Sequence, residues 1–456
     1  MSQPTVPSEI WRCILSHLQE PQILKICQVN RVFYDIAADY RYRHLRLRSM
    51  TNAEVFMLHR VRDPWLAKRV KSLCISIDAM SRLMTRYSDP RRRWWHAGTK
   101  ERPSIEQTPH ARTTEDAEAL SIILLDAIRG MKNVQEVEIH AGSIATSDPE
   151  LELELMQLIC SRFRSVQILK LWSPIDKLHL VLPTLQFCNL KEAVLLLYGQ
   201  SEPSADILSR VHHFLRLLAP TLEHLTLCAY DHEVVRRISS LFHRDVVMSK
   251  LKTLSTLLTF DDLRAIQSIN TNYPVLAELS LAQWASGTTA SLGQLQLPSL
   301  RSLELMSGGV RIPQGFWNGS SSFTQLEKLS LWSSDALSPS EVSQMCRFFT
   351  TSPNIAKLLL RVEVLEAELF DSLAFAFPSL HTLTLEAQSV GNISPGIDLI
   401  ASFEVDMEDR CYPDWGLSSL QVSRPGVHDR DIAAILASKK ITNIVKRSIP
   451  SLITCG

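Results

Sequence analysis

The sequence predicts an α/β chain: a short three-helix N-terminal module, then an irregular solenoid with parallel strands on its concave side and helices outside. Two observations predict it. Over the first 50 residues, apolar positions recur at helical spacing between residues that start and cap helices. From about residue 130, one phrase returns along the chain, apolar-x-x-apolar-x-apolar.

Size and composition bound the answer. A chain of 456 residues exceeds what one compact core holds, about 250–300 residues. Several domains or one elongated array are therefore expected. With 45% apolar and 21% charged residues, the chain is an ordinary folded protein. Lys plus Arg is 48 and Asp plus Glu is 48, so no global charge draws it to nucleic acid or an anionic membrane. No apolar run is long enough to cross a bilayer, and Met1 to Ile10 lacks the basic-then-apolar pattern of a secretory leader. The nine cysteines are scattered without a CxxC pair, as expected of reduced thiols packed as small hydrophobes. An intracellular protein, cytoplasmic or nuclear, is the expectation.

The first helix is expected at roughly Ser8 to Leu18, with Ile10, Trp11, Ile14, Leu15 and Leu18 at helical spacing. Pro21 suits the first position of a second helix because its missing N–H costs nothing there; that helix carries Ile23, Leu24, Ile26 and Cys27. Asn30 is a candidate cap for a third helix with Phe33, Ile36, Ala37 and Tyr40. Apolar residues cover more than one face of the first helix. They read either as a helical cap on whatever follows or as a docking surface for a partner helix, and the latter is favoured.

The segment resembles an F-box. The match rests on Val6-Pro7, Glu9-Ile10, Ile14-Leu15-x-x-Leu18, Ile23-Leu24, Val29-Asn30-Arg31-x-Phe33, Ile36-Ala37 and a closing Tyr42-Arg43-His44-Leu45. Val6 stands where the family usually has Leu. The resemblance implies binding to a Skp-type adaptor and, through it, to a cullin–RING ubiquitin ligase. Val6, Pro7, Ile10, Ile14, Leu15, Leu18 and Phe33 are then the adaptor-binding residues.

The repeated phrase starts at Val134, Val166, Leu222, Leu276, Leu300, Leu326, Ile355 and Leu380, with weaker copies from Val70, Leu190, Leu251 and Leu417. Its spacing is that of leucine-rich repeats, about 20–29 residues each. The closing apolar-x-apolar puts two side chains on one face of a short strand, and stacked strands bury them against the next repeat. Pro220, Pro274, Pro298, Pro353 and Pro378 each stand two residues before a start, and Pro450 before Leu452 hints at a last strand. Amphipathic helices are expected between strands, at 120–128, at 208–218 and after Ser338-Pro339-Ser340-Glu341, a capping box. The Asn or Cys that regular repeats carry after the last leucine is missing, which predicts uneven turns. The longer chain is similar to fungal F-box proteins with degenerate leucine-rich regions.

The expected organisation is an F-box at 1–50, a linking region with first irregular repeats at 51–133, and the repeat solenoid at 134–456. A basic insertion at 82–112, with Arg91-Arg92-Arg93-Trp94-Trp95, interrupts the second part. It reads either as a nucleic-acid or phosphate patch or as a surface insertion, and the latter is favoured. The acidic run at 404–414 reads as a solvated loop, because the ordered ligand spacing of a calcium loop is missing. Nucleophile-elbow, phosphate-loop, zinc-protease and dinucleotide signatures are missing too. A non-catalytic protein without cofactor or metal is expected: a substrate-recognition subunit of a Skp–cullin–F-box-type ligase. The alternative is a non-degradative interaction scaffold with an F-box-like module. Residues beside the strand leucines should face outward, and Trp172, Trp332, Arg361 and Glu386 are the candidates for holding a protein substrate.

Overall fold

The computed structural model describes residues 7–19, 22–23, 25, 31–79, 122–141, 149–178, 182, 187–199, 204–229, 246–257, 263–282, 292–307, 315–319, 322–333, 335–390, 399–423 and 432–455. They form two compact units, Met1–Thr221 and Leu222–Gly456.

The first unit begins with α1 (Ser8–Ser16), α2 (Arg31–Tyr42), β1 (His44–Leu47), α3 (Asn52–Arg60), α4 (Pro64–Ala67) and β2 (Ser72–Ser76). A helix over 122–130, α5, follows. Then come β3 (Glu136–His140), α6 (Pro149–Arg162), β4 (Ile168–Pro174), β5 (Glu192–Tyr198) and α7 (Ala205–Leu218). The five strands pair in parallel and in chain order. Their register aligns Leu45, Leu73, Val137, Leu169 and Ala193 across one row, and Leu47, Ile75, Ile139, Leu171 and Leu195 across a second. Every one of these side chains is buried, each contributing about 1.5–3 kcal/mol when it is a leucine or isoleucine. Alternation explains the rows: a parallel strand presents every second residue to one face, and here that residue is the repeated apolar one.

The helical module is joined to the repeats through α2. Arg69, just after α4, donates to the Asp35 carboxylate and carbonyl, each at 3.0 Å, and pairs with Asp39. Its guanidinium lies 3.9 Å over the Trp65 ring, which stacks on Tyr34 at 5.6 Å. A planar cation held by two carboxylates and an aromatic face fixes the angle at which α2 meets the first repeat.

The second unit holds β6 (His224–Ala229), β7 (Thr253–Leu257), α8 (Leu263–Asn272), β8 (Glu278–Ala282), β9 (Ser302–Ser307), β10 (Lys328–Ser333) and α9 (Pro339–Phe348). It continues with β11 (Lys357–Leu365), α10 (Ala367–Ala376), β12 (Thr382–Val390), α11 (Leu399–Glu408), β13 (Ser419–Ser423), α12 (Ile432–Ser448) and β14 (Thr454–Cys455). All nine strands are parallel and in chain order. Leu225, Leu254, Leu279, Leu303, Leu329, Leu358, Leu383 and Leu420 make one aligned row. The next row carries Leu227, Thr256, Leu281, Leu305, Leu331, Leu360, Leu385 and Val422, with Thr256 the one polar member. Helices α9 to α12 pack each on the next. Each unit is thus a parallel strand-and-helix stack of the leucine-rich-repeat type.

The prolines before the repeats have a definite place. Leu276 N–H donates to Tyr273 O at 3.2 Å, Leu300 to Leu297 at 3.1 Å, Leu380 to Phe377 at 3.1 Å and Leu452 to Ile449 at 3.2 Å. Each bond closes a four-residue turn with Pro274, Pro298, Pro378 or Pro450 second, the position that a fixed φ near −65° suits. The turn delivers the chain to its strand with the leucine already inside.

Several expectations change. Leu45, expected at the close of the helical module, instead forms β1, the first strand, with Leu47. Tyr40 is exposed, and Tyr42 is buried instead. The first part of the acidic run, Glu404 to Glu408, is in helix α11, where Glu404 pairs with Arg447 at 2.7 Å, and the rest follows the helix as turn and loop. Most of the expected second helix, and all of 82–112, lie outside the described residues. Among the described residues, no helix is long and apolar enough to cross a membrane.

Candidate functional site

On α1, four-residue spacing sorts apolar residues onto two faces. Leu15 is buried with Ile23, Phe33, Ile36 and Ala37, and Trp11 packs on Phe33 at 4.9 Å between ring centres. The other face carries Ile10 and Ile14, exposed at 50% and 47%, and Leu18, 36% exposed, follows in the turn after the helix, which ends at Ser16 rather than at Leu18. Pro7, which precedes the helix, is exposed beside them. The seven residues expected to meet an adaptor therefore separate. Pro7, Ile10, Ile14 and Leu18 stand in solvent; Leu15 and Phe33 hold the helices together; Val6 lies outside the described residues. Leu15 and Phe33 are corrected from contact residues to supports, because in helices this short the hydrophobic positions must also make the internal core.

The strands put the residues beside the inward leucines on the opposite, open face of each sheet. Lys170, Trp172, Thr226, Cys228, Glu304, Met306, Trp332, Leu359, Arg361, Thr384 and Glu386 are all part-exposed there, and Ser330 is buried. In the second unit Arg361 and Glu386 are register partners on β11 and β12, with Nε and Oε2 3.9 Å apart. Trp332 lies opposite Met306 across β9 and β10. Thus Arg361 and Glu386 come together and already face one another.

In the first unit Trp172 stacks on His140, 5.2 Å between ring centres at an interplanar angle of 13°. The imidazole reaches Glu138 (Nε2 to Oε1 2.7 Å), and Glu138 also accepts from Arg48 at 2.5 Å. Arg48 Nε donates to Cys74 Sγ at 3.0 Å. Burial opposes ionisation of Glu138, but the His140 hydrogen bond and the Arg48 charge outweigh it and hold the carboxyl below its ordinary range. Burial pushes the Cys74 thiol up, against the pull of Arg48. Next to this cluster Lys170 donates to Glu136 at 2.7 Å, which holds its ammonium above the usual value.

Sequence reasoning found Trp172 and missed its neighbours. Arg48 and Glu138 are 90 residues apart, and Arg48 directly follows β1, where the sequence reads as the close of the helical module. The available signal was positional: Cys74 and Glu138 each occupy the x of an apolar-x-apolar pair.

No family model matches the chain, and no curated protein matches it. Solved structures are similar at a low level. With the TLR13–ssRNA13 complex the identity is 13% and the TM-score 0.30, over 58% of this chain and 45% of that one. With the Rad7 and Elc1 complex in yeast the identity is 14% and the TM-score 0.34, over 86% of this chain and 98% of that one. The chain thus spans under half the length of the first and nearly all of the second. Neither adds to what the strands themselves show about the fold.

Proposed function

We propose that this protein is a non-catalytic substrate-recognition subunit of a Skp–cullin–F-box-type ubiquitin ligase. The N-terminal helices hold a Skp-type adaptor and, through it, a cullin. The open strand faces hold a protein substrate. No cofactor and no nucleic acid take part.

The observation that carries the reading is the row Pro7, Ile10, Ile14 and Leu18. Leu15 and Phe33 behind the row fill the internal core, and among the described residues the row itself takes no part in that core. Exposed apolar residues on one helix face are the usual surface for a partner helix. Their burial would contribute about 1 kcal/mol or more per side chain, given roughly 25 cal/mol per Å². The strand faces supply a second surface whose part-exposed Trp172, Trp332 and Arg361 are residue types enriched where binding energy concentrates.

The test is co-purification of the full chain with a Skp-type adaptor and a cullin, wild type against Ile14→Asp. The substitution puts an unpaired carboxylate into the interface and should remove both proteins together. Retention of both by Ile14→Asp, or failure of the wild type to hold the adaptor, would overturn the reading.

A further inference from the structure

Cys74, Glu138 and His140 form, among the described residues, a group whose ligand atoms lie within 4.8 Å of one another. Three adjacent positions make it. Cys74 on β2 is the register partner of Glu138 on β3, and His140 lies two residues further along the same face. Trp172 stacks on one face of the imidazole, so that ring slides in its own plane rather than turning over. The donors are a thiol, a carboxylate and an imidazole, a set that suits a borderline divalent transition ion and does not suit calcium or magnesium, which take oxygen.

A cationic group already stands there. Arg48 spans Cys74 and Glu138 through two hydrogen bonds. Its side chain is 50% exposed, so it can swing into water without crossing the protein. We propose that Cys74, Glu138 and His140 bind a divalent transition-metal ion of the zinc class in place of the Arg48 guanidinium. Tetrahedral ligands on zinc stand about 3.5 Å apart, given bond lengths of about 2.0–2.3 Å. Drawing the three atoms together needs movement of under about 1.5 Å, within the reach of the Glu138 and His140 side chains. The thiol proton leaves to solvent as the sulfur–metal bond forms, and water completes the fourth position. The ion would link β2 to β3 on the open face, directly beside Trp172.

The experiment uses the reduced full chain with Co(II) as probe, because a cobalt–thiolate bond gives a near-ultraviolet charge-transfer band. Wild type should develop that band at one equivalent and lose it to Zn(II). Cys74→Ser should lose the band, and His140→Gln should weaken cobalt affinity at least about tenfold, the scale of one lost ligand or its orienting partner. Arg48→Met, which removes the competing cation, should tighten it about fivefold, the value of one exposed ion pair. Thermal melting of each metal-free variant checks that the sheet is intact, and Arg48→Met reports even if a ligand variant unfolds. No charge-transfer band in the wild type, an undiminished band in Cys74→Ser, or weaker binding in Arg48→Met overturns the proposal.

Discussion

Ile10 and Ile14 on α1, with Leu18 just after it, present carbon to water, whereas the outward residues of β11 and β12 present charge to each other, Arg361 to Glu386. Both rows arise from regular spacing, four residues on a helix and two on a strand. They differ in what a partner must do. On α1 it need only cover apolar surface, and the gain grows with the area removed from water. On β11–β12 it must first compete with an internal ion pair, so the gain is small unless its own charges match. A surface of the first kind suits one constant partner; one of the second kind suits discrimination among many.

The largest expected effect lies inside α1, between neighbours in sequence. Leu15→Ala opens a cavity among Ile23, Phe33 and Ile36 and should destabilise the module by about 2–5 kcal/mol. Hydrogen exchange of α2 amides would show it as lost protection. Ile10→Ala with Ile14→Ala removes only half-exposed methylenes and should change that protection by less than about 0.5 kcal/mol. The same pair should weaken adaptor binding, by calorimetric titration, by at least about tenfold, or 1.4 kcal/mol. If the Leu15 and Ile14 variants behave alike in both measurements, the two faces of α1 are not distinct.

The next effect tests whether strands on the open face depend on the helices behind them. Ser338 caps α9: its hydroxyl accepts from Glu341 N–H at 3.3 Å, and the Glu341 carboxylate accepts from Ser338 N–H at 2.8 Å. Thr51 and Glu54 make the same reciprocal box before α3. Ser338→Ala should cost about 1 kcal/mol, with exchange quickening first in the opening turn of α9. Unchanged exchange there would mean that packing of Val342, Met345 and Cys346 alone fixes the helix.

That box was readable because Ser-Pro-Ser-Glu is local chemistry, as were the strands, because apolar-x-apolar alternation is local geometry. Twelve copies of the phrase, from Leu73-x-Ile75 through Leu420-x-Val422, are all strands with their first apolar residue inside. β1 escaped because Leu45-x-Leu47 directly follows α2 and reads as the close of the helical module. The division of α1 into core and exposed faces also escaped, since five apolar residues in eleven do not say which face the rest of the module will cover. The Arg48–Cys74–Glu138–His140 cluster was beyond reach for another reason. Lateral neighbours in a repeat stack depend on register across strands, and the insertion at 82–112 hides the spacing between β2 and β3.

The smallest effect sharpens the contrast from the strand side. Arg361 and Glu386 have part-exposed side chains and a separation of 3.9 Å, so solvent screens them and their coupling in the free protein should be about 0.2–1 kcal/mol. A double-mutant cycle of Arg361→Ala and Glu386→Ala, read by thermal melting at low salt, measures it, and raising ionic strength should shrink it. A partner seated over β11–β12 would exclude water from the same pair. The cycle repeated on partner affinity should then give a coupling larger than the one in the free protein, because the attraction strengthens as local water is removed. Equal couplings in the two cycles would place the partner away from this column and leave Trp172, on the first unit, as the part-exposed tryptophan to test next.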